Sequence, residues 1–305
     1  MTASQSATNK GESVRGRIIK GVGGFYYVFV PDRGLYACRA RGLFRKQKLK
    51  PLPGDQVELL ITDEKDREGS ISSILERKNS LIRPAAANID QALVVFALKS
   101  PDPNFNLLDR YLLKMRKQGI KTLICFNKTD LVSRQEADRV SQIYRDCGSQ
   151  VFFVCVKNGE GLEQVRRALS GKTTIIAGPS GAGKSSMTNT LYPDAGMETG
   201  SLSRKIQRGK NTTRHSQLFA LGGDTYLMDT PGFSTIYLND IEKDELAYLY
   251  PEFDSYYPDC RFKGCSHISE PDCAVKKAVE EGRISRQRYD NYCLFYEEIA
   301  DRRPY

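Results

Sequence analysis

Over its first 80 residues this 305-residue chain runs in short apolar–polar stretches broken by turn signals. Arg15–Lys20, Phe25–Val30, Leu35–Arg39, Gln56–Ile61 and Gly69–Leu75 read as strands. Gly23-Gly24, Pro31-Asp32, Pro53-Gly54 and the charged stretch Thr62–Glu68 punctuate them. Five short strands predict an OB-type β-barrel over residues 13–82, behind a flexible tail at 1–12. From about residue 83 the texture changes. Ala92–Leu98, Thr122–Phe126, Val151–Val156, Thr173–Ala177 and Thr225–Met228 are short continuous apolar runs, the pattern of parallel strands buried on both faces. Helical stretches at Leu107–Gln118, Arg134–Cys147 and Leu162–Leu169 separate them. The series predicts a doubly wound α/β domain over 83–240, with its site at the strands' carboxyl ends. After Gly232 the strands stop, and 241–305 reads as a helical domain around a cysteine cluster. Within it Tyr289, Tyr292, Cys293, Tyr296 and Ile299 recur at helical spacing, a stripe read as core packing.

Charge sharpens this picture. The net charge is +9, and residues 1–82 hold 15 Lys and Arg against 9 Asp and Glu. Residues 83–240 hold 21 against 14, whereas 241–305 hold 10 against 14. A basic front and middle suit a polyanionic partner, nucleic acid first; an ordinary solvated surface is the plainer reading. Between the third and fourth strands lie Arg39, Arg41, Arg45, Lys46, Lys48 and Lys50, enclosing Phe44 and no acid. That segment reads as a phosphate-tracking loop with one stacking ring, or as a plain basic loop on a small barrel. The longest apolar run, Ala92–Leu98, falls far short of the ~20 residues of a membrane span. Met1–Asn9 has neither the basic start nor the apolar stretch of a signal peptide, so a cytoplasmic protein is expected; a monomer is expected as well. Cys38, Cys125, Cys147, Cys155 and Cys293 sit among apolar neighbours as small core residues.

Three motifs carry chemistry. Gly178-Pro179-Ser180-Gly181-Ala182-Gly183-Lys184-Ser185, followed by Ser186, is a complete P-loop between an apolar strand and a helix. Small residues let backbone N–H groups curl around phosphate oxygens, and the helix adds its positive end. Lys184 is expected to reach the β- and γ-phosphates, and Ser185 to ligate Mg²⁺. Asn127-Lys128-Thr129-Asp130 follows the strand Thr122–Phe126. Guanine offers paired N–H donors that the Asp130 carboxylate can accept together, which favours GTP over ATP. Cys155-Val156-Lys157 sits where a backbone N–H could meet the guanine oxygen.

Asp229-Thr230-Pro231-Gly232 gives a D-x-x-G pattern, with Asp229 expected at Mg²⁺ and the Gly232 N–H at the γ-phosphate. Upstream, Thr212 or Thr213 in a basic segment is the expected second hydroxyl on Mg²⁺. The order is permuted relative to Ras-like proteins: N-K-x-D, then P-loop, then D-x-x-G. A site built from neighbouring strand ends survives such a cut, because strand adjacency does not depend on where the chain begins. The third motif is Cys260-x₄-Cys265-x-His267-x₅-Cys273, four ligands that match a closed, structural Cys₃His site for one Zn²⁺.

An N-terminal barrel, a GTPase permuted in this order and a C-x₄-C-x-H-x₅-C tail together resemble the ribosome small subunit-dependent GTPase A (RsgA) family, from about Ser13 to the last helix. The resemblance implies a bacterial cytoplasmic GTPase that binds the small ribosomal subunit during late maturation. It also implies contact with ribosomal RNA and faster GTP hydrolysis on the subunit. The chain departs from the family where a histidine commonly precedes the paired threonines, since Asn211 stands there and His215 is a different position. Cys155-Val156-Lys157 also replaces the usual Ser-Ala-Lys. The alternative is a GTP-gated RNA- or protein-binding module in which hydrolysis is incidental.

Overall fold

The computed structural model describes residues 12–40, 44, 49–82, 84–193, 217–229 and 236–302. They divide into two compact units, Met1–Ile89 with Lys210–Asp229, and Asp90–Gly209 with Thr230–Tyr305.

In the first unit β1 (Ser13–Val22), β2 (Phe25–Val30), β3 (Gly34–Ala40), β4 (Gln56–Asp63) and β5 (Glu68–Ile74) close a barrel in the order β1-β2-β3-β5-β4. The β3–β5 pair is parallel; the other pairs are antiparallel. Alternate residues Ile18, Val28, Val30, Tyr36, Cys38, Val57, Leu59 and Ile71 fill the interior. Phe44 is only 5% exposed and packs in that same core, which corrects the expectation of a ring free to stack on bases. Burying an aromatic side chain in a small barrel outweighs the polar character of the loop around it. A short ribbon, β6 (Ser80–Leu81) with β7 (Ala86–Ala87), follows. Its approach requires Gly54, whose φ is +96° and whose added Cβ would lie 1.9 Å from the Ala87 carbonyl. The unit is completed by an antiparallel pair, β12 (Gln217–Ala220) and β13 (Tyr226–Asp229), with β12 against β1. Strand β12 has no counterpart in the apolar pattern, being only four residues long.

The second unit holds the parallel strands β8 (Gln91–Ala97), β9 (Lys121–Asn127), β10 (Gln150–Val154) and β11 (Thr173–Ala177), ordered β10-β9-β8-β11. The chain adds strands on one side of β8, then returns to its other side, so the order reverses there. Helices α1 (Phe105–Lys117), α2 (Arg134–Ile143), α3 (Leu162–Leu169) and α4 (Lys184–Leu191) connect or follow the strands. The Asn104 side chain caps α1, and Ser133 with Glu136 forms a capping box on α2. Helix α2 ends at Ile143, four residues before the predicted Cys147. Tyr144 leaves the helix to bury its ring beside Phe105 and Phe126, at centroid distances of 5.9 and 5.8 Å.

The tail contributes α5 (Ala274–Glu280), α6 (Arg286–Ala300) and three 3-10 turns at Lys243–Leu249, Pro251–Phe253 and Tyr257–Asp259. Pro251 and Pro258 begin or interrupt such turns, so this region is less regularly helical than predicted. Tyr289, Tyr292 and Ile299 of the α6 stripe are buried, while Cys293 and Tyr296 pack at the core's margin. Arg288, 1% exposed, joins the tail to α1 by donating to Asp109 at 2.6 Å and Glu252 at 2.7 Å. Asn291 donates to the second Asp109 oxygen at 2.6 Å. Among the described residues no helix is long and apolar enough to cross a membrane.

Candidate nucleotide site and metal centre

Parallel strands present their carboxyl ends at one edge, so the loops after β9, β10 and β11 meet there. Asn127, 3% exposed, is the tie between them. Its Nδ2 donates to the Ala182 carbonyl at 2.9 Å, and its Oδ1 accepts from the Lys128 N–H at 2.8 Å and the Val156 N–H at 3.2 Å. One buried amide thus holds the N-K-x-D loop, the P-loop and the Cys155 loop in register. The same packing explains Gly183: with φ at +94°, an added Cβ would lie 2.3 Å from Asn127 Nδ2.

A concave site of about 330 Å³ opens between these loops, lined by Asn127, Lys128, Asp130, Val156, Lys157 and Gly183, with Leu131 and Ser186. Asp130 is exposed at its edge, and no described side chain pairs with its carboxylate. Lys128 adopts φ +66° and donates from Nζ to the Ser100 carbonyl. Thr129 begins a 3-10 turn and keeps a buried hydroxyl without a hydrogen-bond partner among the described residues. Cys155 is buried, its N–H donating to the Glu160 carbonyl at 3.0 Å.

The loop Gly178–Gly183 joins β11 to α4, and Gly178 must lack a side chain because its Cβ would meet the Val95 carbonyl at 2.0 Å. Pro179, Ser180 and Gly181 form its outer curve, and Ala182 is buried beneath. Lys184 Nζ donates to the loop's own Gly178 and Pro179 carbonyls, both at 2.8 Å, which folds the ammonium over the loop. Ser185 is half-buried in the first turn of α4. Asp229 is the last residue of β13. Thr212, Thr213 and Gly232, with Asn211 and Phe233, lie outside the described residues.

In the tail, the ligand atoms of Cys260, Cys265, His267 and Cys273 all lie within 4.8 Å of one another. Cys260 Sγ is 3.9 Å from Cys273 Sγ and 3.6 Å from His267 Nδ1, which is 3.3 Å from Cys273 Sγ. Sulfurs 2.3 Å from a tetrahedral ion stand about 3.8 Å apart, so this donor set fits Zn²⁺, and the spacing is far too long for a disulfide. His267 is fully buried, and burial lowers its pKa, favouring the neutral imidazole a metal requires. Its Nδ1 faces the sulfurs, while Nε2 has no hydrogen-bond partner among the described residues; the ring sits beside those of Phe253 and Tyr257. Burial pushes the Cys265 thiol up to about 12, a proton that metal binding must displace.

The same architecture runs through known proteins. A family model described as the RsgA GTPase matches residues 74–239, and one described as the RsgA N-terminal domain matches residues 15–71. The chain belongs to the RsgA family. Among its relatives, the small ribosomal subunit biogenesis GTPase RsgA of Agathobacter rectalis is 52% identical over 300 residues, covering 95% of this chain and 99% of that one. The protein of the same name from Alkaliphilus metalliredigens is 44% identical over 291 residues, covering 95% and 99%. The crystal structure of YjeQ from Thermotoga maritima superposes with a TM-score of 0.81 at 34% identity, over 96% of this chain and 100% of that one. YloQ, a circularly permuted GTPase, gives 0.78 at 37%, over 98% and 99%.

Within this RsgA-family chain, motif reading overlooked the groups that hold the motifs in place. The Ala182 and Ser100 carbonyls are backbone acceptors, which no residue pattern announces. Glu270 is a further case: it accepts from the Ser266 N–H at 2.7 Å, the Ser266 hydroxyl at 2.6 Å and the Ile268 N–H at 3.1 Å, bracing the loop that carries His267. Burial pushes its carboxyl up, but these hydrogen bonds prevail and hold it at about 2. The Ser-x₃-Glu spacing was its only trace in the sequence.

Proposed function

We propose that this chain is a GTPase that binds the small ribosomal subunit, assists its late maturation and hydrolyses GTP faster when bound there. The observation that carries the reading is the concave site shared by Asp130, Val156 and Gly183, one residue from each of three motif loops, all tied through Asn127. The names of the RsgA relatives supply the ribosomal part.

Asp130 accepts the paired N–H donors of guanine, the Lys128 stem lies over the base, and the Val156 loop closes the edge. The backbone of Gly178–Gly183 cradles the phosphates, and Lys184 leaves its two carbonyl partners to neutralise the β- and γ-oxygens. Ser185, Asp229 and one of Thr212 and Thr213 would supply the hard oxygen ligands that Mg²⁺ prefers. Mg²⁺, when bound, neutralises charge developing on the phosphate oxygens. The Gly232 N–H senses the γ-phosphate. In the tail, Cys260, Cys265, His267 and Cys273 would hold a structural Zn²⁺. The protein acts in the cytoplasm as a monomer.

Phe233 follows Gly232 where Ras-like enzymes place a water-orienting glutamine, and Asn211 replaces the family's histidine. Hydrolysis by the isolated protein is therefore slow, and binding to the subunit accelerates it by about 10²-fold or more. Single-turnover GTP hydrolysis with and without purified small subunits, at matched Mg²⁺, tests this. Fast turnover alone, or no stimulation despite demonstrated binding, would defeat it.

A further inference from the structure

The loop that joins β8 to α1 belongs to none of the motifs, yet it reaches the nucleotide site as a fourth loop. The Leu98 N–H donates to the Asn127 carbonyl at 2.9 Å, and the Asn104 side chain caps α1 by accepting from the Leu107 N–H at 2.9 Å. Between these anchors Pro101 and Pro103 fix two of the five intervening φ angles. The Ser100 carbonyl accepts from Lys128 Nζ. Pro101 lies against the outer curve of the P-loop, where a Cβ added at Gly181 would come within 3.3 Å of the proline Cδ.

The backbone marks this contact. Among the described residues, eight other than glycine have φ between +53° and +66°. Five are Asp, Asn or His, the types that enter this left-handed region most readily; the others are Arg67, Ser100 and Lys128. Two of those three are the partners joined here, Ser100 at +54° and Lys128 at +66°. Such conformations persist only where the surroundings hold them. The Lys128 ammonium therefore meets a carbonyl held from both sides, and an anchored ammonium restrains the flexible stem that carries it.

The geometry points to Ser100 as a positioning residue for the nucleotide base: its carbonyl, set by the left-handed turn and braced by Pro101 against the P-loop, anchors Lys128 so that the lysine stem lies across the purine ring. It rests on the proposed function for the identity of the site. The anchor supplies affinity without choice. An aliphatic stem packs on the face of any purine, whereas the Asp130 carboxylate reads the donors at one base's edge. A free lysine gives up rotamer freedom when a base covers it, and the carbonyl removes that cost beforehand. Because the acting group is backbone, the side chain at position 100 matters only through the φ it permits.

The test measures GTP and inosine triphosphate affinity of the full-length protein by isothermal titration calorimetry. Ser100→Val, β-branched and ill-suited to positive φ, is expected to weaken both nucleotides by the same factor, about 3- to 10-fold. Ser100→Gly and Ser100→Asn accept that φ and are expected to bind like the parent, a rescue that a role for the hydroxyl would not allow. Lys128→Met keeps the stem and removes the ammonium, and in that background Ser100→Val should have no further effect. Pro101→Gly frees the loop without forcing a new φ, so it releases the same anchor and follows the same pattern if Ser100→Val fails to fold. Equal losses in the two backgrounds overturn the assignment, as does a Ser100→Gly variant as weak as Ser100→Val. A changed ratio of GTP to inosine triphosphate affinity also overturns it, because the loop would then act at the base's edge. A parent protein that binds ATP as tightly as GTP would defeat the GTPase reading, and Ser100–Lys128 coupling measured with ATP would leave the anchor standing.

Discussion

The Asn127 side-chain amide donates to the Ala182 carbonyl at 2.9 Å, so the residue that opens the N-K-x-D loop also fixes the P-loop. Asn127→Ala would leave the Ala182 carbonyl and the Val156 N–H without their buried partner, at about 1–3 kcal/mol for each unsatisfied group. Affinity for GTP and GDP is expected to fall together, by roughly tenfold or more, in isothermal titration calorimetry. A loss confined to GTP would show that Asn127 acts on the γ-phosphate and not through the loops.

Base choice is expected to rest on Asp130, whose carboxylate is exposed at the concave site without a described partner. Asp130→Asn replaces two acceptors with a group that also donates, which opposes guanine and accommodates xanthine. Competition binding with GTP, ATP and XTP should show GTP affinity lost and XTP affinity gained. Equal affinity of the parent protein for ATP and GTP would contradict the assignment.

Metal removal should act on the tail. Cys265→Ala is expected to lower zinc content and raise hydrogen exchange across residues 241–302, because folding energy supplied by the ligand set leaves with the ion. Exchange in the barrel should not change. Purified protein with no zinc and a protected tail would refute the site.

Arg288 is buried between Asp109 and Glu252. Arg288→Ala strands two carboxylates, and urea unfolding of the second unit should show a loss of about 3–5 kcal/mol. Replacing Arg288, Asp109 and Glu252 together with Met, Asn and Gln should cost much less, since no uncompensated charge remains. Similar losses from the single and triple replacements would show that packing, not charge, sets the effect.

Acid should loosen the attachment of the tail to α1. Glu298, Asp240 and Glu245 accept from Arg110, Lys114 and Lys117 on that helix. The Arg110 hydrogen bond holds Glu298 below its ordinary pKa. Partial burial pushes Asp240 and Glu245 up, but their lysine partners outweigh it and both titrate low as well. A depressed folded pKa means the stabilisation is fully present above the unfolded value, about 4, and is lost as pH falls through the lower folded values. Urea midpoints measured from neutral pH down to that range should decline, and Glu298→Gln with Asp240→Asn and Glu245→Gln should flatten the decline. An unchanged slope in the triple variant would assign the acid sensitivity elsewhere.

Strand patterns, the P-loop, N-K-x-D and the Cys₃His cluster were legible in the sequence because each depends on spacing along the chain. Apolar runs such as Gln91–Ala97 and Thr173–Ala177 follow from burial on both faces, and a P-loop needs only small residues before a lysine and a hydroxyl. What the spacing leaves open is where a side chain ends up once several elements compete for it. Phe44 reads as exposed from its six basic neighbours, yet barrel closure buries it. Lys20 reads as inward by strict alternation from Ile18, and a shift of register turns it outward onto Tyr27. Tyr144 ends α2 early because its ring fits beside Phe126. Asn127 binds the Ala182 carbonyl 55 residues away, and carbonyls are common to every residue type. Local chemistry is written in the order of residues; which buried group meets which backbone is settled only by the packing of strands and loops distant in that order.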